Sequence, residues 1–203
     1  MFGNVTPTAS KKREATVEFM ATLETERLLL ERWDERHREP WRLICRDSEV
    51  MRFIGLGQPW ESAEADEVFD AMLRHWRERG FGWRAVLDRA RGDWLGFVGL
   101  NVVGSGVEGV ASDEVEIGWW LVRSAWGRGY ASEGAAAARD EGFEHFGLDR
   151  MLARLQHANR ASSRVAEKIG MRLVREGTGR QGETLLIYCL ERAEWKRQLE
   201  TDE

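Results

Sequence analysis

Residues 113–147 constrain the fold of this chain more than any other segment. They contain an apolar strand, a turn with two glycines, and an alanine-rich helix that ends at Gly147. The unpaired N–H groups of a first helical turn converge at such a point, and the helix dipole adds partial positive charge there. Glycines in the turn let a phosphate approach the backbone. The segment therefore predicts an anion site, and we expect its ligand to be a small molecule that carries a pyrophosphate.

Length and composition indicate an ordinary globular protein. The chain has 203 residues, of which 42% are hydrophobic and 32% are charged. This length predicts one domain, residues 21–203, with one substantial core. Residues 1–20 are polar and contain none of the apolar core of a secretory signal, so we expect a disordered N-terminal tail.

Charge and residue spacing argue against several kinds of partner. The formal net charge of −5 gives no support for nucleic acid, whose phosphates require a basic face. No apolar run reaches the roughly 18 to 20 residues that a membrane span needs. Cys45 and Cys189 form no CxxC pair and the four histidines have no metal-ligand spacing, so no metal is expected. A reducing cytoplasm is the simplest location.

The hydrophobic pattern before residue 113 predicts the type of sheet. A strand at 27–33 is followed by a helix that starts near Glu39 and by a second helix at 62–79 with Ser62 as its N-cap. Strands at 83–87 and 94–100 form a hairpin, and glycines at 104, 106 and 109 predict a flexible loop. Three or four consecutive strands thus pair before a crossover helix intervenes, which favours a mixed or mostly antiparallel sheet.

The elements after the anion site complete an α/β fold of the α+β type. The pattern predicts, in order, a helix at 132–146, a strand at 151–156, a helix at 161–169, and strands at 171–174 and 185–190. We therefore expect one mixed, mostly antiparallel central sheet of about seven strands flanked by about four helices.

A dinucleotide-binding fold is the main rival interpretation of the glycine turn. Gly127 and Gly129 supply two of the three glycines of a GxGxxG motif, but Ser132 stands where the third belongs. The strands that precede the turn also fit a doubly wound fold badly. A phosphate loop of the Walker A type is excluded because no GK[ST] follows.

Two motifs carry a resemblance to a known family. The turn Trp126-Gly127-Arg128-Gly129-Tyr130-Ala131 resembles the Q/R-x-x-G-x-G/A acetyl-CoA loop of the GNAT superfamily of N-acetyltransferases, and residues 116–121 resemble the strand before it. Residues 159–171 are similar to the N-x-x-S…EK-x-G-F block of the RimJ and RimL branch, the ribosomal-protein N-terminal acetyltransferases. The resemblance covers about residues 25–191, and the two motifs are specific together although each is weak alone.

Two positions depart from the family pattern. Trp126 stands where the general motif has Gln or Arg, and Met171 replaces a common Phe. Cofactor binding at the turn uses backbone groups, so the change to Trp126 does not put it in doubt. The second exchanges one buried apolar side chain for another of similar volume. Neither departure removes an atom that the chemistry needs.

The resemblance implies direct transfer of an acetyl group from acetyl-CoA to a primary amine, with no metal. The acceptor is left open between a protein N-terminal α-amine and a small amine of the aminoglycoside or polyamine type. A second class of function also stays open, a regulatory module that binds CoA without turnover. The partners implied are the amine acceptor and, as an alternative to a monomer, a second copy of the chain in a homodimer.

The resemblance also implies roles for individual residues in binding the cofactor. Main-chain groups of Trp119 and Leu121 would contact pantetheine, and one of these N–H groups would stabilise the oxyanion. The turn would hold the pyrophosphate through the residues Trp126, Gly127, Arg128, Gly129, Tyr130 and Ala131. Asn159 would contact the pantetheine arm or cap the helix that follows.

Two side chains are candidates for the chemistry itself. Glu116 is the first candidate for the group that takes the proton of the amine, because on an ideal strand it shares a face with Gly118. Glu114 is the alternative, a bulge would reverse the assignment, and a solvated or salt-bridged role for Glu116 is equally open. Ser162 would place a hydroxyl near the sulfur of CoA, with an N-cap role as the alternative.

Overall fold

The computed structural model describes residues 22–103, 110–111, 113–179 and 181–202. The predicted tail at 1–20 and the predicted loop glycines at 104, 106 and 109 lie outside these ranges. Over the described ranges, eight strands form one sheet in the order β1-β2-β3-β4-β5-β6-β8-β7. The strands are β1 (Thr22–Glu24), β2 (Leu28–Arg32), β3 (Trp83–Asp88), β4 (Trp94–Val102), β5 (Val115–Leu121), β6 (Arg150–Gln156), β7 (Arg172–Thr178) and β8 (Thr184–Glu191).

Six α-helices accompany this sheet in the described part of the chain. They are α1 (Arg38–Cys45), α2 (Ser48–Met51), α3 (Ser62–Arg79), α4 (Tyr130–Glu144), α5 (Arg160–Lys168) and α6 (Arg192–Asp202), with short 3-10 turns at Glu35–His37 and Arg123–Ala125. All strand pairs are antiparallel except β5 and β6, which are parallel. The mixed, mostly antiparallel fold is therefore confirmed. None of these helices is long and apolar enough to cross a membrane.

The element count exceeds the prediction by one strand and two helices. The strand β1 has only three residues, too few for an alternation to be visible in the sequence. The helix α2 has four residues, and α6 is mostly polar, with Trp195 as its side chain in the core. Short or polar elements of this kind form through tertiary contacts rather than through an amphipathic pattern of their own.

Two predicted helix starts were wrong by one or two residues. Glu61, with an extended backbone, occupies the N-cap of α3, so Ser62 is its first helical residue rather than its cap. The Ser62 hydroxyl instead accepts a hydrogen bond from the guanidinium of Arg46. The helix α4 begins at Tyr130, two residues before the predicted start, because Gly129 caps it in the left-handed conformation.

The sheet separates two apolar layers. On one face, α4 packs on β4 and β5, and the core there includes Ile117, Ala135 and Tyr188. On the other face, α1 and α3 cover an aromatic cluster that includes Trp41 and Phe97. Side chains of β5 alternate between the two layers, so this central strand contributes to both.

An ion pair lies in the protein interior beneath α4. The guanidinium of Arg84 in β3 contacts both carboxylate oxygens of Glu141, with Nε to Oε2 at 3.0 Å. The two side chains are 1% and 4% exposed. Arg84 Nη1 also donates to the carbonyl oxygen of Leu30 at 3.3 Å. The pair thus connects α4 to two strands of the sheet from inside the core.

Candidate active site

The glycine turn between β5 and α4 has the backbone geometry of an anion site. Gly127 and Gly129 have φ angles of 71° and 83°, in the left-handed region that favours glycine. Gly129 is the N-cap of α4, and none of the described side chains caps this helix, so its first N–H groups are available to a ligand. A β-carbon built on Gly127 would meet no atom within 4 Å. The turn therefore offers both donors and space.

An ion pair from the start of β2 fixes this turn. Glu133, in the first turn of α4, accepts hydrogen bonds from Thr25 Oγ1 at 2.5 Å and from Arg27 Nε at 2.7 Å. Arg27 Nη1 donates in turn to the carbonyl oxygen of Arg128 at 3.0 Å. One guanidinium thus joins the helix to the turn. Sequence reasoning missed Arg27, although a carboxylate at a predicted anion site indicates that a counter-cation is needed.

Two arginines enclose the ring of Tyr130 at the start of α4. The Cζ atoms of Arg27 and Arg128 lie 4.7 Å and 4.8 Å from the ring centroid, within the range of cation–π attraction. The ring itself is buried. Tyr130 therefore supports two guanidinium groups beside the turn. Arg27 is neutralised by Glu133, so we expect Arg128 to supply the attraction for a phosphate.

The pH dependence of stability gives a test of the Glu133 contacts. Burial raises the pKa of Glu133, but hydrogen bonds from Thr25 and Arg27 outweigh this and bring the pKa below its ordinary value of 4.5. The resulting stability is present above about pH 4.5 and is lost as the pH falls through the folded-state pKa. We expect Glu133→Gln to lower the free energy of unfolding by about 1–2 kcal/mol near neutral pH and by progressively less as the pH falls below about 4.5.

Thermal unfolding of both proteins from pH 3.5 to pH 7 measures this difference. Glu144→Gln, a change of the same kind at the exposed far end of α4, is the control and is expected to have little effect at any pH. A difference between wild type and Glu133→Gln that does not narrow at low pH would contradict the assignment.

Strand β5 keeps the regular alternation on which the sequence prediction depended. Its pairing with β4 runs without a register shift from Val115 to Leu121. The partly buried side chains at 116, 118 and 120 alternate with buried ones, and Trp120 belongs to the aromatic layer. Glu116, Gly118 and Trp120 therefore share the face covered by α1 and α3, as predicted, and no bulge reverses the assignment.

The pairing between β5 and β6 is limited to one position over the described residues of both strands. Glu116 is opposite Leu152, near the N-terminal end of each strand. Just outside the two ends of β5, the N–H of Val122 donates to the carbonyl oxygen of Leu95 in β4, and the carbonyl oxygen of Glu114 accepts from the N–H of Val103, the residue after β4. Even-numbered residues of β5 thus direct their backbone groups toward β4, and Trp119 and Leu121 direct theirs toward β6. The backbone groups of Trp119 and Leu121 therefore lie beyond the last pair of β5 and β6.

Trp126 connects the turn to the end of β5. Its indole Nε1 donates to the carbonyl oxygen of Leu121 at 2.7 Å, and its side chain is 47% exposed. This contact gives a structural reason for a tryptophan at a position where the general motif has Gln or Arg. It occupies one of the two lone pairs of that carbonyl oxygen, while the N–H of Leu121 stays available to a ligand.

The helix α5 brings Ser162 to the opposite side of the same strand. Asn159 is the N-cap of α5, and its side chain accepts from the N–H of Ser162 at 3.1 Å, so the capping alternative applies to Asn159 and not to Ser162. The Ser162 hydroxyl oxygen accepts a hydrogen bond from Trp119 Nε1 at 3.3 Å. Trp119 is buried in the layer beneath α4 and α5, which places Ser162 on that face.

Glu116 is paired with an arginine that sequence reasoning did not identify. Arg154 of β6 donates from Nε to Oε1 at 3.1 Å and from Nη2 to Oε2 at 2.6 Å. Glu114 likewise lies 3.1 Å from Arg150 Nε. The salt-bridged alternative therefore describes the geometry of Glu116. A carboxylate has about four lone-pair positions, so Glu116 retains acceptor sites for a further N–H donor.

These groups meet around the unpaired part of β5. The hydroxyl of Ser162 approaches from the α4 and α5 side, and the carboxylate of Glu116 from the α1 and α3 side. The backbone groups of Trp119 lie between them, and the glycine turn follows at the end of the strand. Within the described ranges, no group of three or more His, Cys, Asp or Glu side chains is arranged to hold a metal ion.

Comparison with known proteins identifies related sequences. The family model described as "Acetyltransferase (GNAT) domain" matches residues 27–172. The chain is 41% identical over 97 residues to the uncharacterized protein YkkB of Bacillus subtilis, which covers 46% of this chain and 54% of that protein. It is 29% identical over 166 residues to FsC-acetyl coenzyme A-N(2)-transacetylase of Aspergillus fumigatus, covering 77% and 67%. The chain thus spans about half of the first relative and two thirds of the second.

Solved structures share the fold. An acetyltransferase from Agrobacterium tumefaciens superposes with a TM-score of 0.72 at 28% identity, covering 94% of this chain and 99% of that one. RimL in complex with coenzyme A gives 0.68 at 15% identity, covering 84% and 97%. Spermidine N-acetyltransferase from Vibrio cholerae, with CoA and spermine, gives 0.66 at 16% identity, covering 84% and 99%. The last two identities are low, so those two likenesses bear on the fold alone.

Proposed function

The chain belongs to the acetyltransferase (GNAT) family, and from this premise we propose that it transfers the acetyl group of acetyl-CoA to a primary amine. The observation that carries the proposal is the two-glycine turn, which opens α4 at the end of a strand whose last backbone groups are unpaired. That arrangement suits a ligand with a pyrophosphate at one end and an extended amide-containing arm at the other.

The turn and the strand would bind different parts of acetyl-CoA. We assign the pyrophosphate to the N–H groups of residues 128–131, with the guanidinium of Arg128 adding positive charge. The pantetheine arm would lie along β5 and pair with the backbone of Trp119 and the N–H of Leu121. Asn159, already the N-cap of α5, would contact the same arm. All of these are contacts that position the thioester near Glu116 and Ser162.

Proton movement would depend on two side chains on opposite faces of β5. The amine must be neutral when its nitrogen attacks, and the carboxylate of Glu116, or of Glu114, would take its proton. The new carbon–nitrogen bond forms as the carbon–sulfur bond breaks, and the thiolate leaves with a hydrogen bond from Ser162. The proton released by the amine finally protonates the CoA thiolate, so the products are an amide and free CoA with its thiol.

Trp119 would act as a positioning residue for Ser162. An indole Nε1 is a donor only, so the Ser162 oxygen accepts from Trp119 and its own proton remains free to donate to sulfur. We expect Trp119→Phe to lower kcat about 3- to 10-fold, with the KM for acetyl-CoA nearly unchanged, and Ser162→Ala to lower kcat by a similar factor.

A double-mutant cycle separates this role from loss of packing. If Trp119 acts through Ser162, Trp119→Phe should have little further effect on kcat in the Ser162→Ala background. Steady-state rates of thiol release from acetyl-CoA measure all four proteins. A full additional loss in the double variant would show that the Trp119 effect is unrelated to the hydroxyl.

The finer assignments also remain proposals. The RimJ and RimL branch is supported by the motif at 159–171. The candidate acceptors are a protein N-terminus, as in the name of the RimL enzyme, and a small amine, as in the name of the spermidine enzyme. A cytoplasmic location and a homodimer stay predictions, the latter testable by light scattering.

Thermal shift and turnover together test the proposed function. Acetyl-CoA at about 100 times its Kd should stabilise the protein by about 2.7 kcal/mol, and at least one primary amine should release CoA thiol. Binding without turnover on any amine would favour the alternative of a CoA-binding regulatory module. If the protein neither binds acetyl-CoA nor releases CoA thiol with any amine, both the acetyltransferase proposal and the regulatory-module alternative are contradicted.

A further inference from the structure

Three partly buried tryptophans line the α1 and α3 face of β5. The ring centroids of Trp60 and Trp120 are 5.7 Å apart, and those of Trp83 and Trp120 are 5.8 Å apart. Behind them, Trp120 stacks on Trp41 at 5.5 Å. This contact with the core fixes the position of the wall, while Trp60, Trp83 and Trp120 each keep part of their surface exposed. They therefore present a rigid aromatic wall.

Gly118 forms a recess at the foot of this wall. It lies between Glu116 and Trp120 on the same face of β5 and is partly exposed. A β-carbon built there would find only Trp83 Cζ2, at 4.0 Å, among its close neighbours. Gly118 also precedes Trp119, whose backbone groups lie beyond the last pair of β5 and β6. The recess thus adjoins the place where the thioester is expected.

Guanidinium groups accompany the carboxylates beside the recess. Glu116 is paired with Arg154, and Glu114 lies 3.1 Å from Arg150, which is also 3.9 Å from Glu191. A polyamine carries several positive charges and is attracted by an excess of carboxylates. This site offers an aromatic wall instead, and a wall of that kind favours a flat apolar group.

Resting on the proposed function, we propose that the acceptor is a primary amine carried on a single aromatic ring, an arylalkylamine. The ring packs against Trp60, Trp83 and Trp120, and the amine lies over Gly118 within reach of the Glu116 carboxylate. The nitrogen forms the amide bond to the acetyl carbon, the carbon–sulfur bond breaks, and the amine proton ends on the CoA thiol.

Matched amines and matched variants test this acceptor. We expect kcat/KM for 2-phenylethylamine to exceed that for ethylamine at least tenfold, and also to exceed the values for spermidine and an alanine-initiated peptide, because the ring buries apolar surface. Trp83→Leu should lower kcat/KM for 2-phenylethylamine about fivefold and leave ethylamine unchanged. Trp94→Leu, a partly buried tryptophan of β4 paired with Leu87, is the control and should change neither.

A second variant places a side chain on the floor of the recess. The β-carbon of Gly118→Val would lie 4.0 Å from Trp83 Cζ2, an ordinary contact, and we expect the variant to fold with a normal acetyl-CoA thermal shift. Its valine side chain would occupy the place of the substrate amine over Gly118 and lower kcat/KM for 2-phenylethylamine at least tenfold. An unchanged value in a folded Gly118→Val variant would overturn the proposed position of the acceptor.

The failure of this inference can be told apart from the failure of the proposed function. If spermidine or the peptide is the better substrate and Trp83→Leu has no selective effect, the arylalkylamine inference is overturned while acetyl transfer stands. If no amine is acetylated although acetyl-CoA binds, calorimetric titration with 2-phenylethylamine tests whether the recess binds an aryl group. Binding that Trp83→Leu weakens and Trp94→Leu does not would support the recess as an aryl site, and no binding would overturn it.

Discussion

Replacing Glu141 by leucine should lower the free energy of unfolding by about 3–5 kcal/mol. The change leaves the guanidinium of Arg84, 1% exposed, without the carboxylate that it contacts in the core. The interior of the protein solvates a charge poorly, so the cost is mostly that of a buried cation that has lost its counter-charge. Urea unfolding followed by tryptophan fluorescence measures the effect.

A double variant distinguishes loss of the charge pair from loss of packing. Arg84→Met combined with Glu141→Leu removes both charges and keeps similar volumes, and we expect its stability to lie within about 1–2 kcal/mol of the wild type. Glu141→Gln keeps one acceptor oxygen, so its free energy of unfolding should lie between that of Glu141→Leu and that of the double variant. A double variant as unstable as Glu141→Leu alone would mean that shape, rather than charge, sets the cost at this position.

Arg128→Glu should weaken the binding of acetyl-CoA about 10- to 100-fold. The substitution places a carboxylate beside the expected pyrophosphate and removes the guanidinium that stacks on Tyr130. A reversal of charge about 5 Å from a doubly charged group costs roughly 1.5–3 kcal/mol in a largely solvated site. Isothermal titration with acetyl-CoA measures the change, and the loss should shrink as salt is added.

The control for this prediction carries the same change in net charge. Arg77→Glu reverses an exposed charge on α3, away from the turn, and should leave the affinity within about twofold of wild type. Ser162→Ala should leave the affinity for acetyl-CoA nearly intact as well. Equal affinities for Arg128→Glu and Arg77→Glu would remove Arg128 from the anion site.

Local patterns made the centre of the site predictable. The alternation in β5 and the two glycines after it are visible within residues 115–129, because each depends on the geometry of one strand and one turn. The structure confirms the shared face of Glu116 and Gly118 and the helix after the turn, which starts two residues earlier than predicted. The cap of α5 by Asn159 is another local feature, and the sequence offered it as one of two alternatives.

Contacts between distant segments could not be predicted. Arg154, which binds Glu116, comes from a strand that follows the crossover helix, and Arg27, which binds Glu133, comes before every other part of the site. Such pairs have no period or spacing in the sequence. Their existence depends on which strands become neighbours, and that is decided only when the sheet forms. The hydrogen bond from Trp119 to Ser162 belongs to the same class.

The short ladder between β5 and β6 has a consequence for the energetics of the whole sheet. A strand that lacks a partner along part of its length resembles an edge strand, although β5 lies in the middle of the sheet. An extended ligand with amide groups can complete the missing hydrogen bonds in the manner of an added strand. The free energy gained when a ligand forms these hydrogen bonds would contribute to the affinity for the ligand. It would also contribute to the stability of the folded complex, because the bonds exist only when the sheet is folded.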